Sequence, residues 1–377
     1  MAESTPANIP AHLQPVDADA WPGVADIPKP GRLRTRLAEA GFARACAKAG
    51  LSFEGDGADI AVERAEVFQR VATSGWVGLA EGYMAGEWST GGSQQLVDVL
   101  TALLRTGYCP RTRRVDAVRP ATPGELPPDL VAHFSGDGIS AFQGHFATGV
   151  ATTQRVRMKS HTKGAGRSRE PRDHFVDVTE IGAPMESDRA DLQDAQNRSV
   201  EAILESLNVA SGTHLLEYPS GGGALAFEAA ARGATVDAVT RDSRLYAAMR
   251  ERLILAGTDG SVTVDRIAEG PAAVAKQRSG AYDAVASMEV FETMPQRQQR
   301  RYLLAVDALL GQGGRAAMQT MVRTQAYNRT ADLALESLRA YIWPGLYFST
   351  VTEIGKTVDR ETDLRVVAQT SAPEHLA

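Results

Sequence analysis

The sequence predicts an α/β protein built on a doubly wound parallel sheet, preceded by a smaller domain of mixed structure. Three observations predict it. From residue 188 onward, short apolar runs alternate regularly with runs of helical period. Residues 215–240, LLEYPSGGGALAFEAAARGATVDAVT, read as strand, glycine loop, helix, turn and strand, the opening unit of a nucleotide-binding domain. The chain before residue 188 has no such alternation.

The elements follow in order. Residues 1–25 are acidic and proline-rich with no apolar core, which predicts a disordered or loosely draped segment, neither a signal peptide nor a membrane span. Residues 31–50 alternate Arg and Lys with Leu, Ala and Phe at helical spacing, a surface helix packed on its own domain. Residues 60–71 look like strand material followed by a helical turn. Residues 93–106 form a helix with Leu96, Val99, Leu100, Leu103 and Leu104 on its apolar face. The proline-rich stretch 116–128 reads as linker.

Residues 155–172 carry Arg155, Arg157, Lys159, Lys163, Arg167, Arg169 and Arg172, opposed inside the run only by Glu170. A solvated, mobile run and a patch for anionic lipid head groups are both open readings. Beyond it come a helix over 188–207, strands over 214–218, 235–239, 262–265, 282–288, 315–321 and 364–369, and helices over 224–232, 243–256, 297–310 and 351–360. Such alternation puts the ligand crevice at the carboxyl ends of the first strands. The domain expectation is an N-terminal domain over 26–125, a linker with the basic run over 126–187, and the α/β domain over 188–377.

Composition narrows the function. The chain of 377 residues has a net charge of −6, which argues against wholesale nucleic-acid binding. Its two cysteines, Cys46 and Cys109, lack metal-ligand spacing, so neither structural zinc nor a disulfide framework is expected, and a reducing cytoplasm fits.

Several segments, in order, resemble the cyclopropane-fatty-acid synthase family: GLAEGYMAGEW (78–88), the glycine loop, YDAVASMEVFETM (282–294), GQGGRAAMQTM (311–321) and YIWPGLYFSTVTEI (341–354). The resemblance implies a class I methyltransferase, Rossmann-like sheet and S-adenosyl-L-methionine as cofactor. It implies action on the double bonds of unsaturated acyl chains, a cytoplasmic protein peripheral at the inner membrane face, membrane phospholipid as partner, and a homo- or hetero-oligomer with a paralogue. The N-terminal domain, by the same resemblance, serves lipid contact and dimerisation.

Carried onto this chain, the cofactor-binding positions are Glu217, Ser220, Gly221, Gly223, Thr240 and Met288, and the catalytic positions Glu292 and Gln319. The departures are specific. Pro219 stands where the family's first loop glycine belongs, so the loop reads either as a weakened cofactor site or as a turn that binds nothing. An acid for the ribose hydroxyls is replaced by Thr240, with Asp242 read as a helix N-cap. Thr293 replaces a His, and the family's Tyr-Ser-Cys box, due near 178–184, is VTEIGAP. Asp173, His174 and Phe175 are read as a solvated loop. A bound bicarbonate, the family's base, loses several of its donors. The chain also stops at Ala377, before the family's Tyr-bearing helix and final strand. These coinciding losses favour a non-catalytic or regulatory partner of an intact paralogue. The alternatives are an active methyltransferase of phospholipid acyl chains and a methyltransferase for another small molecule.

Overall fold

The structure, a computed structural model, describes residues 11–18, 21–53, 57–110, 149–167, 170–183, 192–257, 260–267, 269–341 and 343–373. It forms two units, residues 1–121 with 324–344, and 122–323 with 345–377. The expected linker 116–128 lies outside the described residues.

The first unit is helical. Helices α1 (Arg32–Ala49), α2 (Glu66–Met84) and α3 (Ser93–Arg105) enclose a core of Phe42, Cys46, Val71, Trp76, Val99 and Leu103. Strands β1 (Ala61–Val62) and β2 (Trp88–Ser89) pair antiparallel. α1 and α3 match the periodicity that predicts them, whereas α2 is far longer than the helical turn expected there. It bends at Gly75, whose φ of 58° and ψ of −125° are not helical. Beyond the bend, Gly78 comes so near that a Cβ would stand 2.2 Å from the Arg70 carbonyl oxygen.

Arg70 is fully buried. Its guanidinium donates to both carboxylate oxygens of Glu87, at 3.0 and 2.9 Å, and to the carbonyls of Gly23 (2.7 Å), Val24 (2.8 Å) and Asp26 (3.1 Å). The expectation of a loose N-terminus therefore fails over residues 21–25, where Pro22–Ala25 forms a helical turn and Val24 is buried. Leu13 is buried as well. Proline richness hid carbonyls that Arg70 collects. Residues 324–344, which the sequence pattern assigns to the α/β domain, also belong here. Leu333 packs on the core, and the Tyr341 hydroxyl donates to Glu81 beside the Trp21 ring.

The second unit carries the predicted parallel sheet, in the order β7 (Val262–Arg266), β6 (Thr235–Thr240), β5 (His214–Glu217), β8 (Tyr282–Met288), β9 (Leu310–Gln319). Its flanking helices are α4 (Leu192–Ser206), α5 (Ala224–Ala231), α6 (Ser243–Ala256), α7 (Pro271–Arg278), α8 (Gln296–Leu309) and α9 (Val351–Glu361). Strand side chains divide between two cores, as the two-residue period requires. Leu215, Val236, Ala284 and Ala286 join Leu204, Leu225 and Met249 in one. Leu216, Val239 and Val285 join Val274, Tyr302 and Val306 in the other.

Three expectations are corrected. The sixth strand, β10 (Ala368–Ser371), does not extend the central sheet. It pairs parallel with β4 (Asp173–Ile181), which pairs antiparallel with β3 (Ala151–Lys159). The first part of the basic run is thus strand, not mobile loop, because Arg155 pairs with Asp177 at 2.7 Å and Arg157 with Asp173 at 2.8 Å across the ladder. Asp173, His174 and Phe175 likewise lie in β4 rather than a solvated loop. Helix α7 had no sequence expectation, since PAAVAKQR has little amphipathic contrast.

Because a buried charge that loses its partner is costly, Arg70→Ala is expected to destabilise the first unit by about 3–5 kcal/mol. All 4 tryptophans, Trp21, Trp76, Trp88 and Trp343, lie in that unit, so tryptophan fluorescence during denaturant unfolding reads it selectively. An unshifted fluorescence midpoint would remove Arg70 from its proposed structural role.

Candidate active site

Parallel pairing brings the carboxyl ends of β6, β5, β8 and β9 to one edge of the sheet, and β5 lies between β6 and β8, where the winding reverses. Glu217, Thr240, Met288 and Gln319 are the last residues of those four strands, so the sequence-predicted site residues gather along one edge.

The loop after β5 is anchored on both sides of Pro219. The Tyr218 N–H donates to the Ala286 carbonyl (3.0 Å) and the Ser220 N–H to the Val239 carbonyl (2.8 Å). Proline's missing N–H is thus not demanded by either neighbouring strand. The Tyr218 ring is buried against Tyr302, whose hydroxyl donates to the Tyr218 carbonyl at 2.8 Å. Glu217 is only 2% exposed. Gly221, Gly222 and Gly223 are all buried. Gly223 heads α5 with φ 86°, and a Cβ there would meet Met249 and Phe227 at 3.2 Å. The Ser220 hydroxyl donates to the Met249 sulfur at 3.6 Å, and Arg252 donates to the Gly222 carbonyl at 2.5 Å.

At the end of β6, the Thr240 hydroxyl is buried and accepts from the Asp242 N–H at 3.2 Å. Asp242 is an N-cap, as its position predicts: its carboxylate accepts from the N–H groups of Arg244 (2.6 Å) and Leu245 (3.2 Å).

Two carboxylates stand beyond β8. Met288 packs into the core, and Glu289 follows it with φ 50°, a backbone region rare for a residue with a side chain. The Glu289 N–H donates to the Gln319 carbonyl (2.9 Å), and Gln319 Nε2 donates to the Glu289 carboxylate (3.2 Å). Glu292 is 1% exposed in the turn Phe291–Thr293 and accepts from the Thr320 hydroxyl (2.7 Å) and the Met321 N–H (3.3 Å). Burial pushes the carboxyls of Glu289 and Glu292 above the ordinary glutamate value. Their hydrogen bonds oppose the rise, while Glu289 adds to that of Glu292. Gln299 fastens this turn to the segment before α9, donating to the carbonyls of Phe291 (3.0 Å) and Tyr347 (2.9 Å). Glu289, Thr320 and Met321 were not anticipated as site residues. The acid pair three residues apart, in MEVFE, was the signal for Glu289.

The loop fits the cofactor that the resemblance implies. A glycine turn at the head of a helix presents backbone to a ligand carboxylate, and Glu217 stands at the end of the preceding strand. Glu217 and Gly221–Gly223 would hold S-adenosylmethionine, which when bound supplies an electrophilic methyl group. Bicarbonate fits less well. The Thr320 hydroxyl and Gln319 Nε2 already donate to Glu292 and Glu289, and the Thr293 hydroxyl donates to the Val290 carbonyl at 2.6 Å.

A carboxyl raised by burial stabilises the fold while protonated, and that contribution is lost as pH rises through its folded value. Glu292→Gln cannot ionise. Relative to wild type, it is expected to gain stability as pH climbs from the ordinary glutamate range through the raised Glu292 value. Unfolding midpoints of both proteins against pH measure this; a pH-independent difference would contradict it.

The profile of the family described as mycolic acid cyclopropane synthetase matches residues 178–377, more than half of the chain. The tuberculostearic acid methyltransferase UfaA1 of Mycobacterium tuberculosis (strain ATCC 25618 / H37Rv) is 27% identical over 389 aligned positions, covering 96% of this chain and 83% of that protein. A ubiquinone biosynthesis O-methyltransferase of Xanthomonas oryzae pv. oryzae (strain PXO99A) is 32% identical over 116 residues, 31% of this chain and 46% of that one. Among solved structures, mycolic acid cyclopropane synthase CmaA1 complexed with SAH and CTAB aligns with a TM-score of 0.38 at 17% identity, over 46% of this chain and 62% of that one. By the profile match, the chain belongs to the mycolic acid cyclopropane synthetase family of S-adenosylmethionine-dependent lipid methyltransferases.

Proposed function

We propose that the chain methylates the double bond of an unsaturated acyl chain carried by a membrane phospholipid. One observation carries this reading. Glu292, at the position of the family's catalytic Glu, is buried at the carboxyl edge and held by Thr320 and Met321. Methylation of an alkene leaves positive charge on the acyl chain and a C–H proton to be removed. A buried carboxylate answers both needs: its charge opposes the cation in a dry site, and its raised proton affinity makes it a stronger base than an exposed glutamate. The likeness to a tuberculostearic acid methyltransferase over 96% of the chain supports an acyl-chain substrate. Among the described residues no helix is long and apolar enough to cross a membrane, so the reading has the protein meet its lipid at the surface.

A second reading, a non-catalytic partner of an intact paralogue, is favoured by Thr293. Where the family has His, its hydroxyl is turned back onto the Val290 carbonyl.

Incubation with S-adenosylmethionine labelled in the methyl group and vesicles of unsaturated phospholipid separates the two. Labelled acyl chains one carbon heavier are expected by gas chromatography. Glu292→Gln is expected to lower turnover by about 100-fold or more while leaving cofactor affinity by calorimetry essentially unchanged. Cofactor binding without any labelled acyl product, together with co-purification of an intact paralogue, would replace the first reading with the second.

A further inference from the structure

The turn between β3 and β4 encloses a concavity of about 340 Å³ lined by Lys159, Ser160, Ala165, Gly166, Arg167 and Arg172. Three cations of the basic run line it, and they differ from Arg155 and Arg157. Arg155 and Arg157 are matched by Asp177 and Asp173 across the strands. Lys159, Arg167 and Arg172 have no carboxylate partner among the described residues, although Lys159 lies opposite Asp173 in the ladder. The acid within the run, Glu170, is held by Arg365 at 2.8 Å and does not neutralise them.

The turn is also built. The Ser160 N–H donates to the Arg172 carbonyl (3.0 Å), and the Gly166 N–H donates to the Glu170 carbonyl (3.0 Å). The His161 N–H donates to the buried Asp359 carboxylate of α9 at 2.6 Å. Gly166, at φ 75°, lies against the Arg172 stem, whose carbons would be 3.5–3.9 Å from a Cβ at that position. Lys356 and Arg360 of α9 add positive potential near the turn. Together with burial, which is the larger cause, they push the His161 imidazole below its ordinary value, against Asp359.

We infer that this turn is a phosphate-binding site, in which Lys159, Arg167 and Arg172 converge on the oxygens of a phosphate ester. Guanidinium groups suit a phosphate because their parallel N–H donors match its oxygens. The same chemistry is offered by a phospholipid head group and by a soluble phosphate. The lipid source rests on the phospholipid reading above; the site itself does not. On that reading, the turn would grip the head group of the lipid whose acyl chain is methylated.

The test compares two double variants of the full chain that remove equal charge. Arg167→Ala with Arg172→Ala empties the turn; Arg155→Ala with Arg157→Ala removes the two arginines already paired. The probes are inorganic phosphate, by calorimetry, and phosphatidylcholine vesicles containing phosphatidylglycerol, by co-sedimentation. Circular dichroism and cofactor affinity confirm that both variants fold. The first variant is expected to lose roughly 5-fold in vesicle affinity per cation, hence about 25-fold, and the second much less. Loss on vesicles alone assigns the lipid head group; loss on both probes assigns a phosphate site open to soluble esters. Equal losses in the two variants would show diffuse attraction and overturn the site, as would a wild-type chain that binds neither probe. Neither readout needs turnover, so a chain that binds through Arg167 and Arg172 yet methylates nothing keeps the site and loses the phospholipid reading.

Discussion

Two backbone hydrogen bonds on either side of Pro219 hold the candidate site together. The peptide of Tyr218 is tied to β8 through Ala286 and that of Ser220 to β6 through Val239, so one short loop is fastened to both neighbours of the central strand. The Tyr302 hydroxyl closes the remaining carbonyl. With these anchors the chain leaves β5, turns through three glycines and enters α5 without an exposed loop. Glu217 and Met288 end the paired strands β5 and β8, and Glu292 follows β8 in the turn Phe291–Thr293, so all three lie at the edge where the loop is anchored. A proline that looks like damage in a glycine motif stands between the two peptides that bind the neighbouring strands, and its missing N–H costs neither of those bonds.

Much of the α/β unit was legible, for physical reasons. Strands buried on both faces are almost wholly apolar, as in Tyr282–Met288, and helices closed by Gly233 and Gly257 announce their ends. What failed to show was pairing between distant segments. Arg155, Val156, Arg157, Met158 and Lys159 alternate as a strand does, but their charges resemble a solvated run until Asp173 and Asp177 are seen opposite. The apolar 364–369 predicted a sixth strand of the central sheet because nothing local says which sheet β10 joins. Within the site, Glu292 and Gln319 were legible from motif order. Glu289 showed only as an acid three residues before Glu292, since its left-handed backbone and its bond to Gln319 exist only once β8 and β9 are side by side.

The first unit shows how a motif can be structural. In GLAEGYMAGEW, Gly78 permits the approach to Arg70, Glu81 accepts from Tyr341, and Glu87 neutralises Arg70. Trp88 donates to the Leu79 carbonyl at 2.7 Å and packs edge-on against Tyr83. Each of these residues is accounted for by packing or charge pairing inside the unit.

The pairing of β10 with β4 joins Ala368 to Asp177, positions about 190 residues apart in the chain. The β3–β4 hairpin can close early, since its strands are neighbours in sequence, but one of its edges waits for residues 368–371. During synthesis that edge stands open while the intervening sheet assembles, a period of exposure to wrong partners. Asp359 and Arg365, which fasten the cationic turn, also arrive late. A ribosome that stalls before them would release a chain with its central sheet formed and its hairpin still unguarded.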